Sequence, residues 1–377
     1  MSAQAGTPAL LSLAGAAWRH VRAPSEAIAM SFTAADVAQW CNGRIEGSAQ
    51  RLFTGMNFLD QADGSTLTFV GHSRYGRKLG EHPAAGALCT EGIEVKHRSD
   101  QTIIWVKDAD LATAQVLGKL APPAPLPDIG IHPSAIVSPQ AVLGREVRIG
   151  PLVVVEANAT IGDRCVLMAH NFIGRGSTLG EDCTLWPNAV VRERCSLGKR
   201  VILHCGCVIG ADGFGYRFAG TEHIKIPQIG RVTIGDDCEL GANTTVDRGK
   251  FGDTVIGDGS KLDNLVQIGH NVALGRGTVL VAHVAVGGSV KAGDYLVMGG
   301  GSVIADHVTL GPGTRVAGFS AVTGDAPAGS ELVGTPARPA KEYFAELRGL
   351  HHLPKSALKL RELEQRISTL ESTSKND

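Results

Sequence analysis

The stretch Ile131-His-Pro-Ser-Ala-Ile-Val137-Ser-Pro-Gln-Ala-Val-Leu143-Gly-Arg-Glu-Val-Arg-Ile149-Gly-Pro-Leu-Val-Val-Val155 places an aliphatic residue at every sixth position. The register continues without a miss through Ile161, Leu167, Ile173, Leu179, Leu185, Val191, Leu197 and Leu203 to Ile209. It returns at Ile234, Leu240 and Val246, slips by four residues, and runs again from Ile256 to Val322, for 29 hexads in all. The residue after the aliphatic is glycine in 16 of them, and the residue two before it is nearly always small. A period of six matches neither the helical 3.6 nor the strand 2. It fits a short strand followed by a corner, with the aliphatic pointing inward and glycine freeing the turn. Strands this short bury no core alone, so successive coils must stack at about 4.8 Å with hydrogen bonds running between them. The predicted fold is a mainly β protein built on a parallel β-helix; if three hexads make one coil, as in known hexapeptide-repeat proteins, 29 hexads give nine to ten coils.

Cysteine follows the same register. Cys165, Cys183, Cys195, Cys207 and Cys238 all fall in the small inward slot two before the aliphatic, which marks them as packing residues. Cys205-x-Cys207 has neither the CxxC spacing nor a second pair that a metal site requires, so no metal is expected. Free core thiols suit a reducing compartment.

The chain has 377 residues, with 36 Lys+Arg against 37 Asp+Glu and 5% aromatics. Near-neutrality excludes a polybasic nucleic-acid binder, and sparse aromatics argue against base-stacking platforms. No apolar run reaches membrane-spanning length. The apolar segment Ala9–Ala17 has no preceding Lys or Arg, so it does not read as a cleaved signal, and the expected compartment is the cytoplasm.

Around the repeat the organisation changes. Residues 1–29 carry no pattern and read as a disordered leader. Residues 30–120 mix helical and strand patterns, with Thr33 opening a capped helix through Trp40 and strands at Leu67–Val70 and Thr102–Val106, so a small α/β domain is expected. The proline-dense segment 121–128 reads as a linker, residues 129–338 as the solenoid, and residues 339–377 as helices. In the last of these Leu360, Leu363, Ile367 and Leu370 stand at 3-4-3 spacing, a coiled-coil seam that points to a symmetric oligomer. Lys355, Lys359, Arg361 and Arg366 decorate its other faces.

Function is expected where the hexad rule breaks. One break is the insertion from Ala211 to Arg231, with three aromatics in Phe214-Gly-Tyr-Arg-Phe218, read as an extruded loop lining a cleft. The other candidate is Lys261–Asn271, where Asp263, Asn264, Gln267 and His270 lie close together. Imidazoles ordinarily titrate at about 6.5, which suits His270 to general-base work at neutral pH. His307 follows His270 by two coils plus one residue, so both project from one side about 10 Å apart. His283 falls on another side, and a three-histidine zinc site is not expected within one subunit.

Four blocks carry a specific resemblance: Ile209-Gly-Ala-Asp-Gly-Phe-Gly-Tyr216, Lys225-Ile-Pro-Gln-Ile-Gly-Arg231, Thr244-Thr-Val-Asp-Arg-Gly249 and Asp263-Asn-Leu-Val-Gln-Ile-Gly-His-Asn271. Their content and order are similar to the UDP-3-O-acylglucosamine N-acyltransferases of lipid A biosynthesis, over about residues 30–370. The resemblance implies a homotrimer of left-handed β-helices with active sites between subunits. It implies transfer of a 3-hydroxyacyl chain from acyl carrier protein, through its 4'-phosphopantetheine, to the 2-amino group of UDP-3-O-(3-hydroxyacyl)glucosamine, with no bound cofactor. His270 would be the general base, Asp263 a carboxylate that orients it, and the Gly288 N–H an oxyanion donor. Asn264, Gln267 and His307 would position substrate. In the N-terminal domain Phe69 and Tyr75 would grip the uracil, with His72 where the family commonly has asparagine. Gly318–Thr323 aligns with the region that measures acyl length but departs from the family's pattern. The basic tail would meet the acidic carrier protein. Two other readings stand beside this one: another hexapeptide acyltransferase acting on a UDP-sugar, and a non-catalytic β-solenoid scaffold, for which the hexads alone suffice.

Overall fold

The computed structural model describes residues 31–334 and 339–373, which divide into a unit ending at Ala124 and a unit starting at Pro125. The leader falls outside the described residues.

In the first unit Thr33 caps the helix Ala34–Cys41 by a reciprocal bond pair with Asp36, which satisfies two otherwise orphaned donors. Five strands form one sheet in the order Arg44–Glu46, Thr102–Val106, Gly86–Thr90, Thr66–Val70, Gly55–Met56, antiparallel only at the first pair. Two helices, Ala34–Cys41 and Ala109–Leu120, contribute Val37, Ala112 and Val116 to a core with Phe53, Leu67, Leu88 and Ile104.

In the second unit three parallel sheets of 9, 11 and 10 strands wrap one core, a parallel β-helix whose strands are mostly two residues long. Val142 pairs with Thr160 and Val154 with Phe172, an 18-residue coil of three hexads. The register aliphatics are buried, from Ile149 at 1% exposure to Val322 at 6%. The small slot is buried too, and its hydroxyls bond to neighbouring carbonyls: Ser177 Oγ donates to that of Arg192 and Thr244 Oγ1 to that of Asp263. The five slot cysteines are buried and free, and Cys165 Sγ donates to the Gly180 carbonyl.

The glycine that follows the aliphatic has a different cause from the one expected. Except at Gly210, it does not adopt a left-handed conformation. A Cβ at Gly144 would lie 2.5 Å from the Asp163 nitrogen, and one at Gly162 2.6 Å from that of Glu181, so the next coil's backbone excludes a side chain there. The left-handed residue is two positions further on, at Glu146, Asn158, Asp182, Asp237 and Asn271 among others. Asn and Asp recur there because they tolerate this conformation better than most residues.

After the solenoid the chain forms one helix, Ala340–Thr373, which runs through Pro354 rather than breaking into two. Leu360, Leu363 and Ile367 are exposed on it, as are Lys355, Lys359, Arg361 and Arg366. The side chain of Leu370 is outside the described residues. No helix among the described residues is long and apolar enough to cross a membrane.

Candidate active site

Both breaks in the hexad register open onto the same cleft. The strand Val208–Asp212 pairs with Thr245–Arg248, with a shift between Ile209 and Ala211. The shift occurs at Gly210, whose φ of 90 and close approach to Cys195 Sγ admit only glycine. From Asp212 the chain leaves the coil into an antiparallel hairpin, Tyr216–Phe218 with His223–Lys225. It re-enters at Arg231. The four-residue slip lies between Val246 and Ile256 and makes Thr245 pair with Gln267, after which the 18-residue spacing resumes as Gln267 pairs with Ala285. The resulting cleft, about 580 Å3, is lined by the hairpin through Phe214, Tyr216 and Lys225, by Asp247 and Gln267, and by three stacked corners bearing His270, Gly288 and His307.

The imidazole of His270 is held by specific contacts. Its Nδ1 lies 3.2 Å from Asn271 Oδ1, and that same oxygen accepts the Lys250 N–H at 2.9 Å. Because an N–H can meet only an acceptor, the Asn271 atom is the oxygen, and Nδ1 must carry the proton. In the neutral ring the lone pair is therefore on Nε2. A Cβ at Gly288 would lie 2.8 Å from this atom, and a Cβ at Gly213 would lie 2.5 Å from the His270 Cβ. Two glycines thus leave room for the ring.

Gly288 has a second feature. At the equivalent corner of several other coils the backbone N–H is capped by a neighbouring carboxylate, as Asp163 caps Arg145 and Asp294 caps Arg276. The Gly288 N–H has no such cap among the described residues, although its carbonyl accepts from His307. It remains a free donor in a cleft that holds the Nε2 lone pair.

Asp247 is one of three carboxyls that line this cleft with His270, beside Asp212 and Asp306. Burial pushes it up to about 6, with the Asp212 charge adding to the effect, while a hydrogen bond from Gln267 and the charge of His270 pull the other way. Gln267 itself accepts from Thr245 Oγ1. Asp212 behaves oppositely: Lys225, at 2.5 Å, holds its carboxyl below the usual range, and Arg192 stands 3.5 Å away. Beneath them Arg248 is buried, donating from Nε to the Gly210 carbonyl at 2.7 Å and from Nη1 to Glu193 at 2.6 Å. It fixes the backbone from which the hairpin departs.

Asp263 does not orient His270. Its carboxylate accepts the backbone N–H groups of Asn264 and Ala282, at 2.7 and 3.1 Å, and makes no hydrogen bond or ion pair with the imidazole. Asn264 is likewise a corner cap, accepting from the Ala242 N–H at 2.7 Å, and neither residue lines the cleft. Gln267, His270, Gly288 and His307 are brought together. Asp247, Arg248 and Asn271 were missed as individual candidates. The signal that marked them was the register slip, since Asp247 begins it and the Lys250 that anchors Asn271 lies within it. Among the described residues no group of His, Cys, Asp or Glu is arranged to hold a metal.

In the first unit a separate pocket of about 820 Å3 is lined by Phe58, Phe69, His72, Tyr75, Lys78 and Asp110, among others. Phe58 and Phe69 are tilted with centroids 6.1 Å apart, and Arg74 lies over the Tyr75 ring at 4.6 Å. His72 Nδ1 accepts the Arg74 N–H at 3.2 Å, so its Nε2 carries a proton and is a donor.

The bacterial transferase hexapeptide (six repeats) family matches residues 176–211. The UDP-3-O-acylglucosamine N-acyltransferase of Anaeromyxobacter dehalogenans is 38% identical over 354 residues, spanning 92% of this chain and 99% of that protein. UDP-3-O-acylglucosamine N-acyltransferase 1 of Gloeobacter violaceus is 40% identical over 347 residues, 91% of this chain and 97% of that one. Among solved structures, Arabidopsis UDP-N-acetylglucosamine acyltransferase is similar at 26% identity and a TM-score of 0.50, covering 54% of this chain and 71% of that one.

Proposed function

Since the chain belongs to the UDP-3-O-acylglucosamine N-acyltransferase family, we propose that it transfers a 3-hydroxyacyl chain from acyl carrier protein to the 2-amino group of UDP-3-O-(3-hydroxyacyl)glucosamine. The observation that carries this reading is the juxtaposition of His270 Nε2, the lone-pair nitrogen of the neutral ring, with the uncapped N–H of Gly288 in one cleft. Nε2 takes a proton from the amine as its nitrogen attacks the thioester carbonyl, a contribution of about 10²–10⁴ in rate. The C–N bond forms and the carbonyl oxygen becomes an oxyanion beside the Gly288 N–H, where one donor is worth roughly 3 kcal/mol. The tetrahedral intermediate collapses with cleavage of the C–S bond, and the imidazolium returns its proton to the pantetheine sulfur. Gln267 and His307 line the same cleft and position the reactants.

The aromatic pocket around Phe69 and Tyr75 would hold the uracil, with His72 Nε2–H donating to a ring carbonyl. The carrier protein would meet the exposed Lys355, Lys359, Arg361 and Arg366 of the terminal helix. A homotrimer is supported by the outward positions of one solenoid sheet, where Ile136, Val154, Phe172, Val190 and Val208 form an apolar row in register. The helix would be left-handed, as in the family, and the enzyme cytoplasmic.

The test is mass-spectrometric detection of product after mixing the protein with UDP-3-O-acylglucosamine and 3-hydroxyacyl carrier proteins of several chain lengths. An N-acylated product, abolished by His270→Ala in a folded protein, is expected. Absence of product with every donor would remove the reaction and leave only the architecture.

A further inference from the structure

We propose that Asn271 is a positioning residue that fixes the tautomer and basicity of His270, doing with a neutral amide what a carboxylate would do elsewhere. The proposal rests on the general-base reading above. The orienting contact on Nδ1 belongs to Asn271 Oδ1, and the only carboxylate expected in that role, Asp263, is engaged by two backbone N–H groups. Asn271 is itself over-determined. Its Oδ1 accepts the Lys250 N–H, its own N–H donates to Thr254 Oγ1 at 2.9 Å, and a Cβ at Gly249 would lie 2.6 Å from its Nδ2. Lys250 and Gly249 both belong to the four-residue slip. The slip therefore supplies a backbone donor that no regular hexad would place there, and this donor forces the amide oxygen toward the imidazole.

An amide orients without adding charge. A carboxylate at that position would stabilise imidazolium and raise the pH at which the base becomes free. Other groups that line the cleft around the ring are Asp247 from the neighbouring strand, Asp212 with Lys225 and Tyr216 from the hairpin side, and Asp306 with His307 from the coils beyond. Among the described residues none of these hydrogen-bonds to the ring, and only Asn271 bonds to Nδ1.

Asn271→Asp is the informative variant because the fold accepts it. Residue 271 has a φ of 60, and Asp182 and Asp237 occupy the same corner position at 61 and 58. The variant retains an acceptor for Lys250. The readout is the pH dependence of diethylpyrocarbonate modification of His270, followed in the intact protein by peptide mass spectrometry, together with the pH profile of kcat/KM. Asn271→Asp is expected to move both midpoints upward by one unit or more. Asn271→Gly, which keeps the left-handed corner and deletes the amide, is expected to lower kcat by about 10- to 100-fold with little change in KM. An unmoved His270 modification midpoint in Asn271→Asp would overturn the proposal. The modification readout needs no turnover, so it separates this outcome from failure of the acyltransferase reading, which would appear as absent product with the wild-type protein.

Discussion

Replacing Gly288 by alanine tests the arrangement of the cleft with a single methyl group. The backbone at 288 is not left-handed, so the corner itself would accept alanine. What excludes the side chain is the imidazole: the new Cβ would lie 2.8 Å from His270 Nε2 and 2.9 Å from Cε1. Carbon contacts are ordinarily about 3.5 Å or more, leaving an overlap of roughly 0.7 Å. The corner cannot retreat easily, because the Ser289 N–H donates to the His270 carbonyl at 2.8 Å and the Gly288 carbonyl accepts from His307 at 2.9 Å. The ring moves instead, and the bond to Asn271 breaks. The expected loss is that of the base, about 10²–10⁴ in kcat, equivalent to roughly 3–5 kcal/mol of barrier. Single-turnover acyl transfer from carrier protein measures it. UMP binding should be unchanged because its proposed pocket belongs to the other unit. The double variant with His270→Ala should be no slower than His270→Ala alone, since both remove one function. A Gly288→Ala protein that keeps more than a third of wild-type activity would refute the placement of Nε2.

Asp247→Asn should lower activity and stabilise the fold in a pH-dependent way. The carboxyl titrates at about 6 when folded and near 3.8 when unfolded, so the folded state binds its proton more tightly and stability falls as pH rises between these values. Asparagine removes that cost, so the gain in Tm should be present at pH 8 and vanish near pH 4; an equal Tm difference at both would exclude the burial effect. Arg248→Met takes the buried guanidinium from the Gly210 carbonyl and leaves Glu193 with Arg192 alone, and urea unfolding should show a loss of about 3 kcal/mol. Phe69→Ala should weaken UMP binding about tenfold or more in calorimetry, by loss of a ring that faces the proposed uracil.

Periodicity made most of the architecture legible. The inward aliphatics, the small slot and the buried thiols all follow from counting in sixes, because one side-chain volume per corner is all the stack requires. Counting also placed His270 and His307 on one side, where the cleft contains both. The helix opening at Thr33 and the strands around Leu67–Val70 and Thr102–Val106 were legible from capping chemistry and β-branched runs. The tail was read as helices over residues 339–377, and it forms one helix, Ala340–Thr373, that continues through Pro354.

What counting could not supply is which corner side chain reaches which backbone group. Asp263 and Asn271 flank His270 in sequence and both carry an acceptor oxygen, so composition does not choose between them. The choice is made between coils: the Ala282 N–H, one coil on, takes the Asp263 carboxylate, while the Lys250 N–H, brought forward by four extra residues, turns the Asn271 amide toward the ring. Glycine after the aliphatic was legible as a restriction, but its cause is the neighbouring coil's backbone, which no single hexad contains. The sequence by itself determined the repeat, the inward set and the side of the solenoid on which His270 stands, since these depend on position within one coil. The tertiary structure alone decided the partner of the imidazole and the burial of Asp247 in its cleft, since hydrogen bonds and desolvation depend on contacts between coils.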